Sequence, residues 1–292
     1  MDIRTLACTA LSKRMMTPPD ARMADVIDYH DWRDDALLES WRHFDDEELR
    51  GRDVLDFGCG AGQLAFHLAS KGLAKSITGV DIDRDALARA KRTLANRPEF
   101  ADTLRFVEGD VAGLPLPDES VDLITAFDCL EHVMEPASIL AEWKRVLRPG
   151  GRVLIEWFPY KGPWGPHMEA LVPIPWAHVV FGETAMFRAA AAVYDDPAFV
   201  PRHWDREADG TKKPNKWSQW QSFDEQGYIN KLDIAGFRDL ARGAGLKIAR
   251  LDRSGFGESG AKKAIGNALM ALPVLGEYAT SFTVIVLEKP VA

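Results

Sequence analysis

The chain has 292 residues, 46% of them hydrophobic and 27% charged, which predicts a folded protein with one large core or a core and a subdomain. The net charge of −8 argues against nucleic acid as the main partner, because a phosphate backbone requires a concentrated basic surface. Three widely spaced cysteines, no secretion signal and no long uncharged apolar run predict a cytoplasmic protein without stable membrane insertion.

The first part of the chain is predicted to contain an arm, then a helix, and then strands that alternate with helices. We expect residues 1–23 to form an irregular arm and residues 24–49 to be helical, with Gly51 available to end the helix. Strands are then predicted at 54–57, 76–80, 104–107, 121–126 and 151–157, and helices at 63–71, 83–96 and 137–147. Such alternation predicts an α/β fold with a doubly wound, mostly parallel sheet.

The alternation stops after Trp157. Residues 158–228 contain eight prolines and five tryptophans, which is too aromatic for a disordered linker and predicts an inserted cap. Further on we expect a helix at 232–244, a strand at 246–251, an amphipathic stretch at 262–275 and a last strand at 282–288. The amphipathic stretch is expected to pack on the sheet, although a membrane surface or a partner chain would suit the same pattern.

A glycine-rich loop, DFGCGAG, lies where the first strand turns into a helix. Gly58, Gly60 and Gly62 allow a tight turn and a close approach to a ligand, and the helix N-terminus offers free N–H groups. The spacing differs from the G-x-G-x-x-G of dinucleotide binding. Asp56 suits a ligand with an ammonium group better than one with phosphates, although it can also serve only to hydrogen-bond the loop.

Two more acids follow the next strands. Asp81 ends the second strand, where a carboxylate can accept both hydroxyls of a ribose, and Ile82 can pack on an adenine. Asp110 ends the third strand, where it can accept the adenine amino group or else cap a turn. S-adenosylmethionine is the ligand that combines an amino-acid end, an unphosphorylated ribose and an adenine.

Residues 53–157 resemble a class I S-adenosylmethionine-dependent methyltransferase. The resemblance rests on four segments in the family's order, VLDFGCGAGQLA, GVDID, VEGDVAGLPLPDESVDLITAFDCLEHV and LAEWKRVLRPGGRVLIEW. It implies a Rossmann-like fold with a seven-stranded sheet, whose seventh strand, at 282–288, is antiparallel. It also implies S-adenosyl-L-methionine as the cofactor, and no metal is required in principle.

The resemblance also assigns cofactor contacts. Around the methionine moiety it places Asp56, Gly58, Gly60 and Gly62, with Cys59 beside them as a small buried residue rather than a nucleophile. Asp81 would bind the ribose, with Ile82 beside the adenine. The remaining contacts that it implies are Asp110 and Val111 on the adenine, the Phe127 carbonyl on the methionine amine, and Tyr29 and Trp32 in a segment that closes over the cofactor. Tyr29 and Trp32 can equally pack the N-terminal helix on the core.

Catalysis needs an acceptor in line with the methyl group and, for a hydroxyl acceptor, a base. We consider His132 after the fourth strand and His167 in the cap as candidate bases, with internal hydrogen bonding as the alternative for each. The aromatic pocket for the acceptor is predicted from the cap residues Tyr160, Trp164, Trp176 and His178. These side chains can equally form the cap's own core.

The sequence therefore predicts a methyltransferase of a small molecule, with oxygen preferred over nitrogen as the acceptor atom. The alternatives are a protein that binds S-adenosylmethionine without catalysis and, less in keeping with the glycine spacing, a nicotinamide-dependent oxidoreductase. We expect a monomer or a homodimer. The predicted parts are an N-terminal arm with helices (1–50), a cofactor-binding core (51–157), a substrate cap (158–228) and a C-terminal completion of the sheet (229–292).

Overall fold

The computed structural model describes residues 2–18, 35–110, 113–255 and 260–291. The chain forms two compact units. The sheet unit comprises Arg33–Trp157, Ile234–Arg253 and Thr283–Ala292. The helical unit comprises Met1–Trp32, Phe158–Asp233 and Ser254–Phe282.

A seven-stranded sheet has the order β3-β2-β1-β4-β5-β7-β6. The strands are β1 (Asp53–Phe57), β2 (Ser76–Asp81), β3 (Leu104–Glu108), β4 (Val121–Phe127), β5 (Leu147–Trp157), β6 (Lys247–Gly255) and β7 (Thr280–Glu288). β1 to β5 pair in parallel, and β7 pairs with β5 in the antiparallel direction. The predicted doubly wound, mostly parallel sheet with an antiparallel last strand is confirmed.

Eleven α-helical segments lie in the described parts of the chain. They are α1 (Ile3–Met15), α2 (residues 35–41), α3 (Gln63–Ser70), α4 (Arg84–Ala95), α5 (Pro136–Val146), α6 (Ala177–Val180), α7 (Glu183–Tyr194), α8 (Phe223–Gln226), α9 (Ile234–Gly243), α10 (Gly260–Met270) and α11 (Leu275–Tyr278). Local chemistry explains where two of them begin. The Asp83 carboxylate accepts from the N–H groups of Asp85 and Ala86 at 2.9 and 3.0 Å, and Pro136 opens α5.

The core of the sheet unit lies between the central strands and the helices. Leu55 of β1 and Ile124 of β4 are fully buried, as are Leu68 of α3 and Trp143 of α5. Complete burial of a large apolar side chain stabilises a fold by roughly 1.5–3 kcal/mol. The continuous apolar runs that predicted β1 and β4 therefore hold the glycine loop and the end of β4 on a rigid base.

The expectation of an irregular N-terminal arm is wrong for α1. Asp2 caps this helix through a 3.1 Å hydrogen bond from the Thr5 N–H, and neither glycine nor proline interrupts it. The helix packs on α7, and the residues that it buries are Thr5, Cys8 and Ser12. Because this buried stripe consists of small residues and not of large apolar ones, its period is hard to recognise in the sequence.

The predicted helix at 24–49 holds in part. Residues 35–41 are helical and Asp46–Leu49 form a 3₁₀ turn, while residues 24–34 lie outside the described segments. Residues 158–228 contain α6, α7 and α8 and no strand. Their core gathers around Phe187, Tyr194 and Phe223, which are completely or almost completely buried.

The expected packing of residues 262–275 on the sheet is wrong for most of the described apolar side chains. Ile265, Leu272, Val274 and Leu275 are exposed, and only Leu269 and Met270 are half-buried. An apolar stripe shows which face of a helix avoids water, but the tertiary structure decides whether another element covers it. No helix in the described segments is long and apolar enough to span a membrane.

Candidate functional site

The glycine-rich loop connects β1 to α3 at the carboxyl end of the sheet, where open α/β sheets bind ligands. Gly60 has a positive φ of 52° and donates its N–H to the Asp81 Oδ2 at 2.7 Å. A Cβ at Gly60 would meet no described protein atom within 4 Å, so this part of the loop faces open space. The loop is thus tied to β2 by its backbone and open on the side where a ligand can approach.

Close packing explains the neighbouring Gly58. A Cβ at that position would lie 2.8 Å from the Cys129 Cβ, which is closer than real side chains allow. Gly62 stands at the N-cap of α3 with a φ of 89°, against the ring of Phe106. The tight loop at the start of a helix that the sequence predicts is therefore present.

Asp56 is buried at the end of β1, directly below the loop. Its Oδ1 accepts a 2.9 Å hydrogen bond from the Thr125 hydroxyl of β4, and its Oδ2 has no hydrogen-bond partner among the described residues. Burial raises the pKa of this carboxyl to about 7, the Thr125 bond opposes the rise, and the charge of Asp81 adds to it. Asp56 is therefore tied to β4 through one oxygen and retains a second oxygen that can face a cationic group.

Asp81 stands at the end of β2 and is half-buried. Its Oδ1 accepts from the Asp83 N–H at 2.8 Å, so both carboxylate oxygens are fixed by backbone groups. Each oxygen keeps a lone pair for a hydroxyl donor. Ile82 beside it is exposed, as expected for a residue that packs on a ligand.

The remaining predicted cofactor residues lie in several places. Asp110 is exposed after β3, and its carbonyl accepts from the Gly113 N–H at 3.2 Å in a turn. Tyr29, Trp32 and Val111 lie outside the described residues. Their predicted roles stay predictions.

Phe127 and Cys59 are both buried in the sheet unit. The Phe127 ring stacks on Phe44 with centroids 5.3 Å apart, and the predicted role of the Phe127 carbonyl stays a prediction. Burial raises the pKa of the Cys59 thiol well above its usual range, so this thiol carries little of the thiolate that a nucleophile needs.

The segment after β4 has an unusual backbone. Asp128 has a φ of 50°, a left-handed conformation that non-glycine residues seldom adopt, and donates its N–H to the Glu156 carbonyl at 3.1 Å. His132 follows in a 3₁₀ turn and is half-buried next to the buried Glu131. Strained residues of this kind are frequent at active sites, which favours this segment as part of one.

The helical unit brings Tyr160 and His178 together, with ring centroids 4.9 Å apart. The Tyr160 hydroxyl donates to Glu183 at 2.8 Å, and burial lowers the pKa of His178 to about 4. Trp176 donates its Nε1–H to the Tyr278 carbonyl at 2.7 Å. These contacts are internal to the unit, which supports the packing alternative for the three residues without testing a role in acceptor binding.

His167 and Trp164 belong to the same unit. His167 has a φ of 52°, and its ring meets Phe158 edge-on with centroids 4.8 Å apart. Trp164 is half-buried. The assignment of His167 as a base stays a prediction.

Thr125 and Glu183 are functional candidates that the sequence interpretation missed. Thr125 is a fully buried polar residue in an otherwise apolar parallel strand, LITAF, and such a residue needs a partner. That signal was present in the sequence. Glu183 binds Tyr160 across 23 residues of chain, and no local pattern indicates that contact.

The sheet order, the antiparallel β7 and the glycine loop above a buried aspartate define a class I S-adenosylmethionine-dependent methyltransferase domain. The residues present fit the cofactor of this class. Gly60 leaves open space at the loop, Asp81 offers carboxylate lone pairs at a strand end, and the Asp56 Oδ2 has no partner among the described residues that would keep a cation away.

Comparisons with known proteins support this assignment. Residues 55–155 match the methyltransferase domain family. Over 105 residues the chain is 39% identical to a Mycolicibacterium smegmatis protein named a probable S-adenosylmethionine-dependent methyltransferase, and the match covers 36% of this chain and 37% of that protein. Over 150 residues it is 34% identical to an uncharacterized methyltransferase of Mycobacterium avium, covering 51% of this chain and 54% of the relative.

The alignments thus span about half or less of these two relatives' length. Solved structures share the fold. A protein from Pyrococcus horikoshii OT3 aligns with a TM-score of 0.52 at 16% identity, covering 91% of this chain and 94% of its own. A Bacillus halodurans C-125 protein aligns with a TM-score of 0.52 at 16% identity, covering 88% and 99%. The segment 55–155 is a methyltransferase domain, and its class uses S-adenosylmethionine.

Proposed function

We propose that the whole chain transfers a methyl group from S-adenosylmethionine to an oxygen atom of a small molecule. The observation that carries the proposal is the open Gly60 loop held by the Asp81 carboxylate above the buried Asp56. Bound S-adenosylmethionine supplies a methyl group already activated on a sulfonium. The protein then has to position the acceptor, exclude water and remove a proton.

Three groups of the sheet unit would bind the cofactor. Asp81 would accept from the ribose hydroxyls, and its two backbone contacts keep it oriented for that task. Asp56 would face the ammonium group, and a nearby cation would favour the ionised form of a carboxyl whose pKa is raised to about 7. Gly60 would let the loop backbone approach the ligand without a side chain in the way.

A small acceptor is supported by residues 158–228, which form a folded segment with a core of its own and contain many aromatic side chains. We propose that they act as a substrate cap, that residues 51–157 form the cofactor-binding core, and that β6 and β7 complete the sheet of that core. Tyr160, Trp164, Trp176 and His178 would then line or support the acceptor site.

Oxygen is preferred because a hydroxyl acceptor needs a base, and His132 and His167 are two half-buried imidazoles of the kind that serve as general bases. A neutral amine acceptor has a lone pair without such help. His167→Gln is expected to lower turnover and to leave the affinity for cofactor nearly unchanged. A fall in cofactor affinity instead would place His167 in the cofactor site.

Calorimetric titration with S-adenosylhomocysteine, which cannot react, tests the cofactor assignment. We expect binding by the wild type. In Asp81→Ala, loss of two hydrogen bonds to a charged group should weaken it by about 2–4 kcal/mol. The control is Asp102→Ala, which removes an exposed carboxyl. Equal affinities for all three proteins would refute the ribose assignment.

A screen of small hydroxylated and amino compounds with methyl-labelled cofactor then tests catalysis. Label transferred to oxygen supports the proposal, and label on nitrogen corrects the acceptor atom. A protein that binds S-adenosylhomocysteine but transfers no label to any compound would favour a role as a non-catalytic binder.

A further inference from the structure

The helical unit carries an exposed apolar surface that the methyltransferase reaction does not explain. We call residues 264–275 the apolar ridge. It contains Val274, which is 71% exposed, and Ile265, which is 55% exposed, together with Leu272 at 45% and Leu275 at 49%. Leu272, Pro273, Val274 and Leu275 are four consecutive exposed apolar residues, a pattern that soluble proteins avoid unless it serves binding.

The charges around the ridge favour an anionic partner. No acidic residue occurs in the sequence between Gly260 and Gly276, while Lys262 and Lys263 precede the ridge directly, in a chain whose net charge is −8. The first acid after the ridge, Glu277, is paired with Lys161 at 3.0 Å. The ridge is therefore an apolar stretch without acidic residues, preceded by two lysines, in an acidic protein.

A second apolar element lies next to the end of the ridge. The Trp176 Nε1–H donates to the Tyr278 carbonyl of α11 at 2.7 Å, and Trp176 is the N-cap of α6. Val179 and Val180 of α6 are both exposed. This bond places the start of α6 beside α11, the helix that begins with Leu275 of the ridge.

We propose that the apolar ridge binds the surface of an anionic lipid bilayer, with Lys263 directed to the headgroups and the side chains of Ile265, Leu272 and Val274 in the acyl boundary. A bilayer accepts consecutive apolar side chains on a turn without a matching shape, whereas a protein partner requires a complementary recess. Basic residues beside an apolar surface add attraction to anionic lipids. The ridge lies on the membrane and does not cross it.

Vesicle flotation of the full chain tests the proposal. We expect the wild type to float with vesicles of equal parts phosphatidylcholine and phosphatidylglycerol, and to float less with phosphatidylcholine alone or at high salt. The double variant Leu272→Asp/Val274→Asp should reduce the bound fraction about tenfold or more, because two apolar contacts are replaced by charges of the wrong sign. Lys263→Glu should weaken binding only to the anionic vesicles.

Val291→Asp is the matched control. Val291 is 75% exposed near the C-terminus in the sheet unit, so this change adds one negative charge, of the two that the ridge variant carries, to an exposed valine outside the ridge. Near-ultraviolet circular dichroism confirms that each variant folds. Flotation is read without cofactor, so its outcome is independent of S-adenosylhomocysteine binding.

Three outcomes would overturn the proposal. In the first, the wild type binds neither kind of vesicle. In the second, the ridge variant Leu272→Asp/Val274→Asp floats as well as Val291→Asp does. In the third, no protein floats, and light scattering shows that the wild type is a dimer and the ridge variant is a monomer. The last result would assign the ridge to a second copy of the chain.

Discussion

Replacement of Asp56 by asparagine should remove a pH dependence of stability that the buried carboxyl imposes. Asp56 is buried, one of its oxygens has no partner among the described residues, and its pKa is raised from 3.8 to about 7. At a pH between these two pKa values, Asp56 has lost its proton in the unfolded chain but retains it in the folded protein. The unfolding free energy therefore falls as pH rises from about 4 to about 7, and it levels off above that pH.

The magnitude follows from the shift. A rise of about three pKa units corresponds to about 4 kcal/mol in total. Of this, about 2–3 kcal/mol is lost between pH 5 and pH 8, because part of the fall occurs below pH 5. The amide that replaces the carboxyl has no proton to lose, and its oxygen can still accept from the Thr125 hydroxyl. Asp56→Asn should thus gain about 2–3 kcal/mol relative to the wild type on going from pH 5 to pH 8.

Urea unfolding followed by tryptophan fluorescence at a series of pH values measures this difference. Asp102→Asn removes an exposed carboxyl and should run parallel to the wild type. If the gap between Asp56→Asn and the wild type is the same at pH 5 and pH 8, the reasoning from burial is refuted. The same variant should bind S-adenosylhomocysteine more weakly at pH 8, since it lacks the negative charge opposite the ammonium group.

Three further predictions concern single side chains. Gly60→Ala and Gly51→Ala both place a Cβ at a positive φ, and neither Cβ would meet an atom of the described residues within 4 Å. Each variant should therefore lose about 1–2 kcal/mol of stability, while calorimetry should show weaker S-adenosylhomocysteine binding for Gly60→Ala alone. Burial lowers the pKa of His178 to about 4, so the wild type should lose stability as the pH falls from about 6.5 to 4, because protonation favours the unfolded chain. Thermal melts of His178→Phe should not show this loss. Thr125→Val removes the hydroxyl that lowers the pKa of Asp56, whereas Thr125→Ser keeps a hydroxyl. Titrations with S-adenosylhomocysteine at a series of pH values should therefore show that binding begins at a higher pH in Thr125→Val than in Thr125→Ser.

Each of these predictions has a contrary outcome. Equal affinities of the two glycine variants would mean that the loop at Gly60 does not face the ligand. Parallel melting profiles for His178→Phe and the wild type would contradict a buried neutral imidazole. Coincident pH profiles of the two Thr125 variants would show that the hydroxyl does not tune Asp56.

The strands of the sheet and the glycine loop were predictable because their signals are local. A strand buried on both faces is a continuous apolar run, and a loop close to a ligand needs glycine at particular places. Asp81 was predictable for the same reason, since parallel strands end at one edge and an acid at that point is conspicuous. The sequence alone thus determined the fold class and the cofactor class.

Other features depend on residues that are far apart in the chain. The hydrogen bond between Thr125 and Asp56 joins two strands across 69 residues of chain, and it leaves the second oxygen of the carboxylate as a candidate ligand group. The α1 helix was missed because the face it buries consists of Thr5, Cys8 and Ser12, small side chains that match α7 and not an apolar pattern.

The segment 262–275 shows most clearly the difference between what the local sequence determines and what the tertiary structure decides. Its composition predicted an amphipathic stretch, and the structure forms the helix α10 over the part of it up to Met270. Whether that face is covered depends on the elements folded around it, and most of it is left exposed. Local propensity fixes the conformation of a segment, but burial is a property of the assembled fold, which only the tertiary structure could decide.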